Sequence, residues 1–251
     1  MMAPNERMRH CAPMRIAQIL YSQGFGSRRE CSALIHRGEV QVASQIVTDP
    51  DADFDTTGLL FQVSGVPWPF HDKALLMLNK PAGLECSRQP QHHASVLSLL
   101  PQPLRQRGVQ PVGRLDEDTT GLLLLTDDGA LLHRLTSPRH HVAKVYEVLT
   151  RHPVDAAQLD ALRQGVTLRD DPEPARAEAA DATGERGLRL TITEGRYHQV
   201  KRMLAAVGNR VEALHRSGFG PLQLPADLAP GQWRWLDHAA LATPSAAPAG
   251  P

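Results

Sequence analysis

Gly121-Leu122-Leu123-Leu124-Leu125 constrains this chain of 251 residues more than any other segment. Four successive leucines leave no polar side for solvent. The run is far shorter than the ~10–12 residues of an ordinary helix, and Thr126-Asp127-Asp128 punctuates its end. A buried strand suits it. Ala74–Leu78 is a second run of the same kind. Aromatic residues are scarce at 4%, so the core rests on Leu, Val, Ile and Ala.

Around these runs the pattern divides into modules. Residues 14–63 read as a small basic module. Ser27 with Glu30 three positions on has the form of a capping box, opening a helix that buries Cys31, Leu34 and Ile35 and stops near Gly38. Val40 and Val42 alternate with polar residues, as in a half-buried strand. Residues 64–72, SGVPWPFHD, read as a linker because of two prolines and a glycine. Residues 73–238 form the second module. Asp127 and Asp128 can cap a helix bearing Leu131, Leu132 and Leu135. Strands are expected at 142–149, at Leu188, Leu190 and Ile192, and at 211–214, with helices at 155–162 and 198–207. Mixed elements without strict alternation predict an α+β fold on a mixed or antiparallel sheet. Residues 1–13 and 239–251 read as flexible tails.

Several classes are excluded or weakened. No apolar run approaches the roughly 18 residues of a membrane-spanning helix. The first residues lack the apolar core of a secretion signal, and three cysteines without a CxxC pair make no disulfide framework. A cytoplasmic protein is expected. GxGxxG, GxxxxGK[ST], HExxH and GxSxG are all missing. His140-His141 and His92-His93 are adjacent pairs, which a strand would point to opposite faces, so no metal site is expected.

Net charge is zero, yet it is segregated. Residues 1–37 carry Arg7, Arg9, Arg15, Arg28, Arg29 and Arg37 against two acids; residues 196–216 carry Arg196, Lys201, Arg202, Arg210 and Arg216 against one. Residues 169–185 are acidic. Solvated helix faces and polyanion sites fit this pattern equally well.

Three polar clusters stand out. The first is residues 113–121, GRLDEDTTG, a glycine-bounded loop ahead of the leucine run. Leu115 can anchor it inward and so hold Asp116, with Arg114 nearby; the same residues also suit an acidic turn that satisfies its own backbone. The second is 194–203, EGRYHQVKRM, a glycine turn opening a helix rich in cations, fit for an anion or for plain surface. The third is 137–148, SPRHHVAKVYEV, where Tyr146 shares a strand face with Val142 and Val148. Tyr146 is either a core aromatic or a functional one.

Together, GRLDEDTTGLLLLTDDG, SPRHHVAKVYEV and EGRYHQVKRMLAAVGNRVEALHR, with LNKPAGLECS and DLAPGQWRWL, resemble the pseudouridine synthases of the small-subunit rRNA type across residues 73–238. GSRRECSALIHRGEVQV resembles an S4 RNA-binding domain. The resemblance implies isomerisation of one uridine in 16S rRNA, that at position 516, to pseudouridine. It implies Asp116 as the essential aspartate, Tyr146 as the active-site tyrosine and Lys201 as the cation paired with the aspartate. Arg114 would hold a phosphate or wedge into the vacated stack. Arg28, Arg29, Arg37, Arg196 and Arg202 are expected at RNA. No cofactor and no metal are implied; the partner is 16S rRNA or a small-subunit assembly intermediate, met by a monomer. The bond at N1 is cut and remade at C5, which needs one ionised carboxylate as nucleophile or base and an aromatic platform for a base taken out of its stack. A 23S rRNA synthase and a non-catalytic RNA-binding or assembly factor are the alternatives.

Overall fold

The computed structural model describes residues 13–169 and 171–242. They fall into two units, the first built from residues up to Lys73 together with Pro101–Val109, the second from the remainder.

The first unit begins with β1 (Met14–Arg15) and α1 (Ile16–Gln23), which buries Ile16, Ile19, Leu20 and Gln23. Gly24 ends α1 at φ 86°, and a Cβ there would stand 2.1 Å from the Pro103 carbonyl oxygen, so both conformation and space demand glycine. α2 (Arg28–His36) starts at the expected capping box: Glu30 N–H donates to Ser27 Oγ at 3.3 Å, and Ser27 N–H donates to the Glu30 carboxylate at 2.7 Å. Cys31 and Ile35 are buried under α2, whereas Leu34 is only half-buried. Next come β2 (Val40–Val42), β3 (Gln45–Val47), β4 (Asp53–Phe54), β5 (Leu60–Val63) and β6 (Val66–Pro69). β4 pairs with β1, and the other four make a sheet in the order β3-β2-β5-β6. Phe25 meets the rings of Phe61 and Trp68 edge-on at 5.8 and 5.2 Å.

Residues 64–72 are therefore not a linker. Ser64 and Gly65, both at positive φ, make the tight turn of the β5–β6 hairpin, and Trp68 goes into the core. Pro67 and Pro69 fit because β6 is an edge strand. Beyond β6 the buried Gln23 amide clamps the chain: it donates to the His71 carbonyl, and its oxygen accepts from His71 N–H and from Arg107 Nη1. Arg107, just past α3 (Gln102–Gln106), also donates to the carbonyls of His71 and Asp72.

The second unit is a mixed sheet. Its strands are β7 (Leu75–Lys80), β8 (Gln110–Pro111), β9 (Thr120–Thr126), β10 (Lys144–Thr150), β11 (Ala179–Ala182), β12 (Gly187–Ile192), β13 (Val211–Phe219), β14 (Leu222–Gln223) and β15 (Trp233–Trp235). The order is β11-β12-β10-β13-β9-β7-β15, with β14 on β13 and β8 on β9. β9 and β13 run parallel, His215 opposite Thr120 and Arg216 opposite Gly121; the other pairings described are antiparallel. The two apolar runs become β7 and β9, buried on both faces. Three helices pack around the sheet. α4 (Gly129–Thr136) is capped by Asp128, α5 (Ala156–Gln164) by Asp155, and α6 (Gln199–Ala206) buries Val200, Met203 and Leu204.

The tails expected at 1–13 and 239–251 lie mostly outside the described residues. Residues 239–241, however, belong to a short turn, His238–Leu241, capped by Asp237, and Ala240 and Leu241 pack against the cluster of Met77, Leu122 and Leu124. Their apolar side chains account for that. No described helix is long and apolar enough to cross a membrane.

Candidate active site

The loop 113–121 is a rigid object because a buried lysine holds it. Lys80, at the end of β7, has no exposed surface. Its ammonium donates to the carbonyls of Pro81, Glu117 and Thr119 at 3.0, 2.9 and 2.9 Å. Three donors meet three acceptors, so the charge is fully solvated by backbone. Burial pulls the Lys80 ammonium below its ordinary value, against the opposing pull of the nearby thiol and carboxylates. Leu115 is buried, as expected, and Thr119 N–H closes the turn onto the Asp116 carbonyl at 3.1 Å. Gly121 allows β9 to approach β13: a Cβ there would stand 2.3 Å from the Arg216 carbonyl oxygen.

Asp116 is thereby presented, 29% exposed, to two cationic or polar side chains of the 194–203 segment. Lys201 Nζ lies 3.2 Å from Oδ2, and His198 Nε2 lies 3.4 Å from Oδ1. Lys201 does not belong to Asp116 alone. It is nearer Asp118, donating to its two oxygens at 2.6 and 2.9 Å. Burial lowers the affinity of Lys201 for its proton, but the Asp118 hydrogen bond and the Asp116 charge outweigh it and leave the ammonium above its ordinary value. Burial pushes the Asp118 carboxyl up, and Lys201 overcomes it to hold the group below the usual range. His198, at φ 47°, precedes α6 and stacks on Tyr197 at 3.8 Å between centroids.

This cluster opens on a cavity of about 1280 Å³. Small-ligand pockets commonly run to roughly 300–1,000 Å³, so there is room for more than one nucleotide. Its floor is one face of the sheet. Tyr146 on β10 stands directly opposite Arg216 on β13 and Leu190 on β12; Lys144 stands opposite Phe219 and Ile192. Tyr146 is buried, 7% exposed. Lys144 donates to the carbonyls of Val142 and Thr193, and burial with the Arg216 charge brings its ammonium down to about 8. One rim is the 85–95 loop, organised by the Glu85 carboxylate, which accepts from the backbone N–H groups of Gln91, His92 and His93 and is held below its ordinary range by them.

Arg114 is exposed on the rim of the cavity. Arg196 also lines it, but its guanidinium is committed to Asp171 at 3.0 Å and Glu194 at 2.9 Å, and to the Glu173 and Pro174 carbonyls. Two carboxylates neutralise it, so the RNA contact expected of Arg196 gives way to a structural one. Arg202 donates to the carbonyls of Tyr197 and Arg169, away from the cavity lining. In the first unit Arg28 and Arg29 are exposed, Arg28 lying over the Tyr21 ring, while Arg37 pairs with Glu39. Sequence reasoning missed Lys80, Asp118 and His198 as parts of the site. The last two sat inside the polar clusters 113–121 and 194–203; the signal for Lys80 was a lysine closing an otherwise apolar strand.

Residues 74–206 match the family model for RNA pseudouridylate synthases, and residues 14–53 match the S4 domain model. The Yersinia pestis protein named ribosomal small subunit pseudouridine synthase A is 44% identical over 79% of this chain and 82% of its own length. The Escherichia coli protein of the same name is 41% identical over 82% of this chain and 86% of its own. A crystal structure described as a pseudouridylate synthase covers 91% of this chain and 98% of its own, with 33% identity and a TM-score of 0.65.

Proposed function

The chain belongs to the RNA pseudouridylate synthase family and carries an S4 domain ahead of the synthase domain, and on that premise we propose that it isomerises the uridine at position 516 of 16S rRNA. The observation that carries this reading is one carboxylate, Asp116, set between Lys201 and His198 at the mouth of a cavity floored by a buried tyrosine. Relatives named for the small ribosomal subunit support the choice of RNA.

The chemistry derives from the side chains. The target nucleotide leaves its stack and enters the cavity, where the Tyr146 ring packs against the base and excludes water. The ionised Asp116 acts as nucleophile at C1′ or as base at C2′. Lys201 keeps a positive charge beside the carboxylate, and Asp118 holds that ammonium in place. Arg114 meets a backbone phosphate or fills the vacated stack. Arg28 and Arg29 in the S4 domain add phosphate contacts. The reaction is redox-neutral and nothing is added or lost, so neither cofactor nor metal enters the chemical step. An rRNA substrate supports work in the cytoplasm.

The test has two parts. Pseudouridine mapping of rRNA from cells with and without the protein should show one 16S site lost. A lost 23S site would move the assignment to the large subunit, and no lost site would favour a non-catalytic role. Asp116→Asn should fold normally and release tritium from 5-tritiated uridine at least ~10³-fold more slowly, since a neutral amide can play neither role. Activity within tenfold of wild type would sink the assignment.

A further inference from the structure

Arg216 is the largest fully buried side chain among the described residues, 2% exposed, and it sits on the cavity floor opposite Tyr146. Its Nε donates to the Leu122 carbonyl at 2.8 Å and its Cζ lies 5.3 Å from the centre of the Phe219 ring. Nη2 has no acceptor, and no carboxylate lies within ion-pair distance of the guanidinium among the described residues. Beside it Lys144 adds a second positive charge over the same ring, at 5.8 Å. Buried charges are normally paired, and a buried donor left without an acceptor is rare. A cation held unpaired in the floor of a cavity is what an anionic or strongly accepting ligand would complete.

Resting on the function proposed above, we infer that Arg216 is a catalytic residue that binds a carbonyl oxygen of the flipped uracil and stabilises the base as it departs. When the C1′–N1 bond breaks, its electron pair leaves with the base, and the charge spreads from N1 onto O2 and O4. Re-attachment joins C5 to C1′; the C5 proton is then lost and N1, freed of the sugar, takes up a proton, which restores the ring with no net change in atoms. The intermediate anion exists only between those two bond changes. The guanidinium meets a charge that grows on going to the transition state, in a site where its donors are already fixed by Leu122 and Phe219. Asp116 and Lys201 act at the sugar; Arg216 acts at the base.

Single-turnover rates with saturating Arg216→Gln should fall about 100-fold, as for loss of a preorganised donor to a developing oxyanion, with the RNA dissociation constant within about twofold of wild type. Arg216→Lys should recover part of that loss. With 5-fluorouridine at the target, whose base leaves more readily as an anion but whose C5 carries no proton to lose, the quantity read is the rate at which the 5-fluorouridine is consumed, and the loss in Arg216→Gln should shrink. An equal loss on both substrates, or a loss in affinity alone, would overturn the inference. Because the position is buried, a second measurement uses wild-type protein. Sulfur accepts hydrogen bonds poorly yet carries negative charge well, so either 2-thiouridine or 4-thiouridine at the target should react more slowly than uridine, and the deficit should diminish in Arg216→Lys. Both thio substrates reacting at the uridine rate or faster would reject the contact. A wild-type protein that makes no pseudouridine at all fails the functional assignment itself, which is a separate result.

Discussion

The two units hold their positive charges in opposite ways. In the first, Arg28 and Arg29 stand on the exposed face of α2, Arg28 lying over the Tyr21 ring at the surface. In the second, Lys80 and Arg216 are buried, and Lys201 is three-quarters enclosed between two aspartates. Exposed charge is screened and forgiving, so it suits docking on any phosphate within reach. Buried charge is strong and unforgiving, since each donor needs its acceptor, so it suits chemistry at one atom.

The sharpest way to break that contrast is Lys80→Met. Three loop carbonyls would lose their donor, at roughly 1–3 kcal/mol for each group left unsatisfied. Unfolding by denaturant should show a loss of about 3 kcal/mol or more, with activity falling alongside; a loss below about 1 kcal/mol would mean the loop is held by something else. Next is Lys201→Met, which strips Asp116 and Asp118 of their shared cation. A fall in single-turnover rate of ~100-fold, near 3 kcal/mol, is expected, whereas Asp118→Asn should cost about tenfold or less. Equal effects of the two variants would make Asp118 a partner in the reaction, not a support.

A pH experiment probes the floor. Burial and Arg216 bring Lys144 to about 8, against an ordinary lysine value of 10.5. Between those two values the unfolded chain binds the extra proton, so stability attributable to Lys144 rises with pH across that window. Since Lys144 is only partly buried, the gain of wild type over Lys144→Met between pH 7.5 and 9.5 should be about 1 kcal/mol, read from thermal midpoints. A flat difference across that range would place Lys144 in solvent. The smallest effect belongs to the docking charges. Arg28→Ala with Arg29→Ala should weaken RNA binding several-fold and flatten its salt dependence by about one log–log unit per contact. A slower single-turnover rate with unchanged affinity would erase the distinction between the units.

Local chemistry was legible in the sequence, and distant chemistry was not. Ser27 and Glu30 announce a capping box because their partners lie three residues away. The leucine run announces a central strand because four apolar neighbours leave no alternative. Asp116, Tyr146 and Lys201 were found through resemblance. Arg216 and Lys80 escaped a role because their significance lies in partners 94 and 39 positions away, and no local pattern encodes a buried cation's acceptors. Pro67 and Pro69 suggested a break, but an edge strand has a side on which missing N–H groups cost nothing. The boundary moves accordingly: a cut at residue 63 would open the β5–β6 hairpin, and residues 101–109 fold with the first unit, so simple truncation removes only part of it.

The parallel seam between β9 and β13 has a consequence in time. Thr120 and His215 touch across 95 positions of sequence. A ribosome adding ~5–20 residues per second takes roughly 5–20 s to make that span. For most of that interval the aspartate loop already exists while α6 with His198 and Lys201 does not, and β13 with Arg216 is completed last. Every nascent chain shorter than this lacks Arg216 and the strand that carries it, and the cavity floor is completed in one late step when β13 slides in beside Gly121.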